Sequence, residues 1–444
     1  MSKTERDLSS IKIFVFDTNI PVLDSSFVYK FKEHDLTIPI QVIEELDKFK
    51  KGFDSVNWHC REFVRFLDEI STDKIFNGGF SLGEGRGKIK VQKALDFDPE
   101  VFKNLKDQSV DAQIVNVAYV LKHLPENKNR QVVLVSNDVN MRLKAKALGV
   151  VAEKYLADEV TNIDSLFEMI EEVAVQDTLI DELYKSNTPV EYKKLKPYPN
   201  QNFIFKGTNK KSILVVYKEE FFHKITKDRI SAFELKPKNS EQAFAMHALL
   251  DRDVSLVALE GKAGTGKTIL ALASALHQIG KNIYNAVYYT RQTISVGDRE
   301  IGFLPGDIDD KIGPFMNGMH DNLAVIASLK GNKTKIDVFK ATKSLITEPL
   351  PFIRGRSLNK VFFIIDEVQN LTPHEIKTIV TRAGEGTKII MIGDTQQIDN
   401  PYLDQRSNGL SYLIDKFKNQ KCFSHVRLIK SERSYLAELA GELL

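Results

Sequence analysis

The sequence has few cysteines and no long apolar run. Its 444 residues include only Cys60 and Cys422, which are far apart and match no metal-ligand spacing. This excludes a disulfide framework and indicates a reducing compartment. No stretch of about 18 or more apolar residues offers a membrane span, and the polar residues 1–7 lack the apolar core of a signal peptide. We therefore expect a cytoplasmic protein with no membrane contact.

Charge of one sign is not in excess either. The chain has 62 Lys and Arg against 60 Asp and Glu, a formal net charge of +2. Because there is no global basic field, any groove that binds nucleic acid has to be local. The length suffices for two or three domains. The patterns predict three parts: an α/β domain at 8–158, a connector at 159–237 and a second α/β domain at 238–444.

The strongest motif is a phosphate-binding loop. It reads GKAGTGKT and lies between the apolar run LVAL at 256–259 and the helical pattern ILALASAL at 269–276. In such a loop the glycines let backbone N–H groups turn toward phosphate oxygens, the lysine contacts the β- and γ-phosphates, and the hydroxyl binds Mg²⁺. The residues that would bind the nucleotide are Gly261, Lys262, Ala263, Gly264, Thr265, Gly266, Lys267 and Thr268.

A second apolar run supplies carboxylates for the same site. The run FFII at 362–365 is followed by Asp366 and Glu367. The carboxyl end of a buried parallel strand is where α/β proteins place their sites. We expect Asp366 to hold the Mg²⁺ that bridges the phosphates and Glu367 to polarise the attacking water.

Two amides complete the predicted ATP site. Gln397 follows the apolar run KIIMI at 388–392 and is suited to sensing the γ-phosphate. Gln242 precedes a helix that leads into the first strand of this domain, and an amide there pairs with both edges of adenine. A solvent-exposed helix residue is the alternative interpretation of Gln242.

Four acids stand out in the first domain. Asp17 ends the first strand, Glu45 lies early in a helix, Asp111 begins a helix, and Asp138 follows a strand. Asp17 and Asp138 should meet at one edge of the sheet. Packed carboxylates repel one another, and Mg²⁺ or Mn²⁺ relieves that repulsion. Such ions activate water and clamp a phosphodiester for attack. Taken singly, each acid is weak evidence, because acids at strand ends and helix starts are more often capping residues.

Nearby residues leave this assignment open in places. Glu44 is adjacent to Glu45 and can replace it, and Asp107 is a possible fifth acid. Ser136 and Asn19 are candidates to orient the ligands.

The second domain resembles the PhoH family, which comprises RecA-like ATPases related to the first motor core of superfamily 1 helicases. The resemblance covers 238–444. It rests on the phosphate loop, DEVQN at 366–370, GDTQQID at 393–399, Gln242 and RQTISVGDREIGFLPG at 291–306.

The first domain resembles the PIN domain over residues 11–155. The matching segments are DTN at 17–19, EELD at 44–47, SND at 136–138 and MRLKA at 141–145. PIN domains are metal-dependent single-strand ribonucleases with a quartet of acids. The resemblance therefore implies that the four acids above are both catalytic and metal-binding.

The PhoH resemblance also implies an assembly. A single RecA-like core needs a second subunit to close over its nucleotide, so we expect a homo-oligomer, a hexameric ring. An arginine would then reach the developing phosphate charge in trans. Arg433 is the first candidate and Arg382 the second, and a surface ion pair is the alternative role for each.

The remaining segments are less informative. A helix is predicted for 163–184. Strand-like runs follow at 202–205 and 212–217. The basic run Lys193–Lys196 and the aromatic residues near it are either part of a plain spacer or a surface on which single-stranded nucleic acid stacks. The glycine-rich stretch 78–87 is predicted to be a mobile loop.

Together these patterns predict an ATP-dependent RNA helicase or remodelling enzyme with Mg²⁺- or Mn²⁺-dependent single-strand endoribonuclease activity. Its partner would be single-stranded RNA. The first alternative is an RNA-binding ATPase switch whose PIN domain is inactive and serves assembly. A small-molecule kinase is the second alternative, and the GDTQQ segment and Gln242 argue against it.

Overall fold

A computed structural model describes the chain at residues 11–49, 55–155, 170–186, 188–208, 211–227, 230–291, 308–329, 332–341, 344–348, 350, 358–400 and 403–432. The chain divides into two compact units, Met1–Ala157 and Asp158–Leu444. Within the described residues no helix is long and apolar enough to cross a membrane.

The first unit is built on one sheet covered by helices. Its strands are β1 (Ile13–Phe16), β2 (Asp35–Pro39), β3 (Phe80–Ser81), β4 (Lys88–Gln92), β5 (Val132–Val135) and β6 (Val151–Glu153). Its helices are α1 (Asn19–Leu23), α2 (Ile40–Lys48), α3 (Ser55–Glu69), α4 (Asp73–Phe76), α5 (Pro99–Leu105), α6 (Val110–His123) and α7 (Val139–Ala147). The sheet order is β3-β4-β2-β1-β5-β6, and all neighbouring strands are parallel except β3 and β4.

The sequences of β1 and β5 explain their central position. Both are uninterrupted apolar runs, IFVF and VVLV, and every residue in them is buried. Strands that are covered on both faces need such runs. The two strands are neighbours in register, Ile13 opposite Val132, so the residues that follow them emerge side by side at the carboxyl edge.

The glycine-rich segment differs from the predicted loop. It contains β3 and leads into β4, an antiparallel pair at the edge of the sheet with Phe80 opposite Ile89. Gly87 is required there because a Cβ would lie 1.8 Å from the carbonyl oxygen of His34. The sequence signal was ambiguous because glycines mark both loops and close backbone approaches.

The second unit begins with a small sheet. Its elements are β7 (Glu171–Ala174), α8 (Asp177–Ser186), β8 (Asn202–Lys206), β9 (Ser212–Lys218) and β10 (Phe221–Ile225), with strand order β10-β9-β8-β7. The predicted helix at 163–184 is therefore wrong over β7, which pairs in parallel with β8. Residues 163–169 lie outside the described part of the chain.

Aromatic side chains form the core of this small sheet. Phe203, Phe205 and Phe222 are almost fully buried and pack together. Phe203 and Phe205 are two of the aromatics near Lys193–Lys196 that the sequence offered as a stacking surface for single strands, and their burial excludes that role for them.

The rest of the second unit is a six-stranded parallel sheet between two layers of helices. Its strands are β11 (Leu256–Gly261), β12 (Ala286–Arg291), β13 (Leu345–Thr347), β14 (Val361–Asp366), β15 (Lys388–Gly393) and β16 (Phe423–Leu428). Its helices are α9 (Ser240–Leu250), α10 (Lys267–Gly280), α11 (Ile308–Ser328), α12 (Asn332–Ala341), α13 (Pro373–Val380) and α14 (Gly409–Phe417). The strand order is β13-β12-β14-β15-β11-β16, and separate apolar clusters cover the two faces of the sheet.

A buried lysine ties this sheet to α9. Lys388 begins β15, and its Nζ donates hydrogen bonds to the carbonyl oxygens of Ala248, Asp251 and Val254 at 2.8, 2.6 and 2.5 Å. These carbonyls lie at the end of α9 and just beyond it, where a positive charge is favoured. Burial nevertheless lowers the pKa of Lys388 to about 7.

Candidate functional site

A cavity of about 500 Å³ lies in the second unit, where β11, β12, β14 and β15 end. This is the carboxyl edge of the parallel sheet, the expected place for a ligand in an α/β fold. The predicted residues that line the cavity are Gln242, Ala263, Gly264, Gly266, Lys267, Thr268, Asp366, Glu367 and Gln397. Gly261, Lys262 and Thr265 support the loop instead.

Close packing fixes the phosphate loop. A Cβ at Gly261 would lie 2.0 Å from the carbonyl oxygen of Leu428, so the backbone of β16 leaves room only for glycine. Thr265 is fully buried, and its hydroxyl donates to the carbonyl of Lys262 at 2.9 Å. Lys267 donates to the carbonyls of Gly261 and Lys262. Burial lowers the pKa of Lys267 while nearby acids, Asp366 first among them, raise it.

Asp366 is joined to two hydroxyl groups. Its Oδ2 accepts hydrogen bonds from Thr268 at 3.1 Å and from Tyr289 at 2.8 Å. Burial raises the pKa of Asp366, and the neighbouring Glu367 raises it further. A buried carboxylate of this kind beside a hydroxyl is an all-oxygen pair suited to Mg²⁺. The chemistry of the donors thus fits the ion that the sequence predicts.

Glu367 is held on both carboxylate oxygens. Its backbone is in the left-handed region at φ 59°, which is uncommon outside glycine and often marks a functional position. Arg291 donates to Oε1 at 2.7 Å, and Gln369 donates to Oε2 at 2.7 Å. The Gln369 side chain also bonds the carbonyl of Gln397 at 3.0 Å and the amide of Asp394 at 3.0 Å.

Sequence reasoning did not assign roles to Tyr289, Arg291 or Gln369. Tyr289 and Arg291 lie in the last three residues of β12. This strand pairs with β14, so that Arg291 is opposite Asp366. Gln369 lies in the matched DEVQN motif and is completely buried. The matched segments were usable signals for Gln369 and for Arg291, which begins the segment 291–306, whereas Tyr289 lies in no matched segment and its position depends on strand pairing.

Gln242 faces the phosphate loop. It is buried near the start of α9, where Asn239 caps the helix by accepting from the Gln242 amide at 2.9 Å. Its side chain donates to the carbonyl of Thr265 at 3.0 Å and accepts from the amide of Lys238 at 2.9 Å. The side-chain amide is thus engaged by the protein backbone, so the interpretation as a solvent-exposed helix residue is wrong.

Of the two arginines proposed to act in trans, the structure describes only the second candidate, Arg382. Arg433 lies outside the described residues. Arg382 is exposed after α13 and does not line the cavity. Across the described ranges, the arginine that lines the cavity is Arg291.

In the first unit, Asp17 is buried at the end of β1. Burial raises its pKa to about 6, and the charges of Asp111 and Asp138 add to this effect. Its carboxylate accepts from the amide of Thr18 at 2.6 Å, from the hydroxyl of Ser136 at 2.6 Å and from the Asn19 side chain. These bonds stabilise the ionised form and limit the rise.

Ser136 and Thr18 connect Asp17 to two other predicted acids. The Ser136 oxygen also accepts from the amide of Asp138 at 3.0 Å. The Thr18 hydroxyl donates to Oε2 of Glu45 at 2.6 Å. The carboxylate of Asp138 itself caps α7 by accepting from the amide of Asn140 at 2.7 Å.

Asp111 faces the same acids from the start of α6. Burial raises its pKa, and Asp138, Glu45 and Asp107 add to the rise, while Lys144 opposes it. Lys144 lies 3.8 Å from both Asp107 and Asp111.

The four acids therefore repel one another, and their oxygens are of the type that a divalent ion prefers. In the part of the chain that the structure describes, however, no three His, Cys, Asp or Glu side chains are arranged to hold a metal ion. An ion here would have to retain water ligands, as Mg²⁺ commonly does.

Comparison with known proteins identifies both units. The PIN domain family matches residues 14–156, and the PhoH-like protein family matches residues 234–439. Protein PhoH2 of Bacillus subtilis strain 168 is 36% identical over 442 residues, covering 98% of this chain and 100% of the relative. Protein PhoH2 of Thermobispora bispora is 31% identical over 451 residues, covering 100% and 99%. The Pif1 helicase of Candida albicans aligns with 44% of this chain at 18% identity and a TM-score of 0.24, too low to bear on function.

Proposed function

The chain belongs to the PhoH2 family and joins a PIN domain to a PhoH-like P-loop ATPase domain, and we propose that it is an ATP-dependent RNA-remodelling helicase with metal-dependent single-strand endoribonuclease activity. The observation that carries the ATPase half is the meeting of Lys267, Thr268, Asp366 and Glu367 at one cavity. The PIN half rests on the mutual repulsion of Asp17, Asp111 and Asp138.

In the ATPase site, the chain's own residues divide the work. Backbone N–H groups of the loop and the Lys267 ammonium bind the phosphates. Thr268 and Asp366 would hold Mg²⁺, which would neutralise charge on the phosphates. In this proposal Glu367 takes the proton of the attacking water, and Gln397, which lines the cavity, senses the γ-phosphate. The water oxygen forms a bond to the γ-phosphorus as the bond from the γ-phosphorus to the bridging oxygen breaks, which leaves ADP and inorganic phosphate.

For the PIN site, we propose that Asp17, Glu45, Asp111 and Asp138 hold one or two Mg²⁺ or Mn²⁺ ions. A bound ion supplies an activated water at neutral pH. Ser136 and Asn19 orient Asp17 through the hydrogen bonds described above. Because every donor is an oxygen, no histidine or cysteine nucleophile is required.

The assembly belongs to the proposal as well. The cavity is lined by one RecA-like core, and closure over the nucleotide would come from a neighbouring subunit of a hexameric ring that supplies Arg433. Light scattering coupled to size-exclusion chromatography in ATP tests this. A monomer that hydrolyses ATP at the full rate would rule the ring out.

Two matched substitutions test the two activities separately. With labelled single-stranded RNA and Mg²⁺ or Mn²⁺, Asp17→Asn should abolish cutting and leave ATP hydrolysis intact. Lys267→Ala should abolish ATP hydrolysis, and any loss of cutting would show that cutting depends on the motor. Asp68→Asn and Lys281→Ala change exposed residues of the same types and serve as controls. Cutting that survives in Asp17→Asn would remove the nuclease assignment.

One observation favours a second function for the PIN domain. Lys144 approaches Asp107 and Asp111 and so supplies a positive charge where an ion would bind. An inactive PIN domain that serves assembly of an RNA-binding ATPase switch would use such a substitute for the metal. Metal-dependent cutting by the wild-type chain, lost in Asp17→Asn, excludes this function.

A further inference from the structure

Each carboxylate oxygen of Glu367 accepts a hydrogen bond from a neighbouring side chain. Arg291 bonds one oxygen and Gln369 bonds the other, both at 2.7 Å. A water molecule that approaches this carboxylate therefore has to compete with both donors for a position beside it. The residue assigned to activate water is therefore restrained by two neighbours.

The two restraints differ in how easily they can be released. Gln369 is completely buried and is fastened to Gln397 and Asp394 as well. Arg291 ends β12 and lines the cavity, and about a third of its side chain and of the Glu367 side chain is exposed (36% and 30%). Arg291 is thus the restraint that can move, and it borders the space where a ligand enters.

We infer that Arg291 is a positioning residue that keeps Glu367 idle until a phosphate group draws the guanidinium away. This inference rests on the proposed ATPase function and assigns a regulatory role within that site. Arginine binds phosphate with two parallel hydrogen bonds, and phosphate offers more acceptor oxygens than the single carboxylate oxygen that Arg291 contacts.

Release of Arg291 would change Glu367 in one defined way. Oε1 would lose its competing donor, so the attacking water could hydrogen-bond to it directly, while Gln369 would continue to donate to Oε2. ATP hydrolysis would then begin only when the activating phosphate is present, which limits wasteful turnover.

The phosphate has two possible sources with the same chemistry. It is either the γ-phosphate of ATP in the cavity or a backbone phosphate of bound RNA. Binding measurements with each ligand separate them. A non-hydrolysable ATP analogue and a fluorescent single-stranded RNA are titrated separately into the full-length protein.

A double-mutant cycle provides the decisive binding test. Glu367→Gln removes the competing negative charge, so it should tighten binding of the source ligand about fivefold to tenfold. Arg291→Gln should weaken the same ligand, and in the Arg291→Gln background Glu367→Gln should give no further gain. If Glu367→Gln tightens neither ligand, or if the gain persists without Arg291, the inference is wrong.

Turnover measurements test the same idea independently. If RNA is the source, Arg291→Gln should raise the RNA-free ATPase rate and reduce stimulation by RNA to about onefold. If ATP is the source, it should raise KM about fivefold to tenfold with kcat within about twofold. Arg291→Lys should restore the wild-type pattern in part, because it retains the charge.

A merely structural role gives a different result. It would lower kcat by the same factor with and without RNA and leave KM unchanged, and this would overturn the inference. Arg252→Gln, an exposed arginine before β11, is the control. If the wild-type chain hydrolyses no ATP, the proposed function fails, whereas the binding cycle still reports on Arg291.

Discussion

Thr268 and Asp366 are 98 residues apart in sequence, yet the Thr268 hydroxyl donates to Oδ2 of Asp366 at 3.1 Å. Thr268 is the second residue of α10 and Asp366 is the last residue of β14, so the fold brings both predicted Mg²⁺ ligands together. Tyr289 bonds the same carboxylate oxygen. Its hydroxyl therefore orients Asp366.

Tyr289→Phe should weaken the binding of Mg²⁺ at Asp366 and leave the packing of the core unchanged. The ring is almost fully buried and would keep its packing, but Asp366 would lose one hydrogen bond. Loss of a partner that orients a metal ligand costs about tenfold to 100-fold in metal affinity or activity. The measurement is ATPase rate against Mg²⁺ concentration, with Tyr284→Phe as the control. An unchanged Mg²⁺ midpoint would show that Tyr289 does not position Asp366.

Ser136→Ala should shift Mn²⁺ binding by the PIN domain to higher pH. Wild-type Asp17 has a pKa raised to about 6, and its hydrogen bond from Ser136 lowers that pKa. Without the bond, the ionised form of Asp17 is less stable, so a higher pH is needed to create the ligand. Calorimetric titration with Mn²⁺ from pH 5 to 8 measures this. A midpoint that stays fixed or moves to lower pH would contradict the assignment of Asp17 as a ligand.

Lys144→Met should increase the affinity of the PIN domain for Mn²⁺. Lys144 lies 3.8 Å from Asp107 and Asp111, and removing its charge leaves their repulsion to be relieved by the metal. About two-thirds of the Lys144 side chain is covered (32% exposed), so an increase of about twofold to fivefold is expected. Lys146→Met, on the exposed side of the same helix, is the control. Weaker binding would mean that Lys144 supports the metal site.

His425 should make the second unit less stable in mild acid. Its buried Nε2 has no hydrogen-bond partner among the residues that the structure describes, and burial lowers its pKa from 6.5 to about 4. Between these two values the unfolded chain binds a proton that the folded chain does not, so stability is complete above pH 6.5 and falls as the pH drops toward 4. The loss is at most about 3 kcal/mol.

Thermal unfolding of the full chain from pH 4 to 7 tests this prediction, with each variant compared with wild type. His425→Gln should flatten the pH dependence, whereas the exposed His320→Gln should leave it unchanged. An equally steep pH dependence in His425→Gln would assign the acid sensitivity to other groups.

Most of the ATPase fold was predictable because its signals are local. The loop 261–268 is bounded by a buried strand and a helix, and the runs ending at Asp366 and Gly393 are fully buried strands, as their apolar sequences indicate. The family resemblance and the α/β class are confirmed. The division of the second unit into a connector and an ATPase domain stays a prediction, as do the catalytic roles.

What the sequence did not reveal depends on pairing between distant segments. Arg291 meets Glu367 only because β12 and β14 pair in a particular register. Phe203 and Phe205 are buried because a helix and other aromatics cover that face of the small sheet, a face that alternation alone cannot identify. β7 was missed because its exposed, acidic residues Glu171 and Glu172 resemble a solvent-exposed helix.

The three hydrogen bonds that Lys388 donates to backbone carbonyls have a consequence for nucleotide binding. α9 is held at one end by this lysine and at the other by Gln242 against Thr265. Its 11 residues span about 16 Å, so the helix rigidly connects the amino edge of the sheet to the phosphate loop. A displacement of α9 at the Lys388 end would therefore also shift the phosphate loop. The rigidity of this helix thus contributes to the affinity of the domain for its ligand.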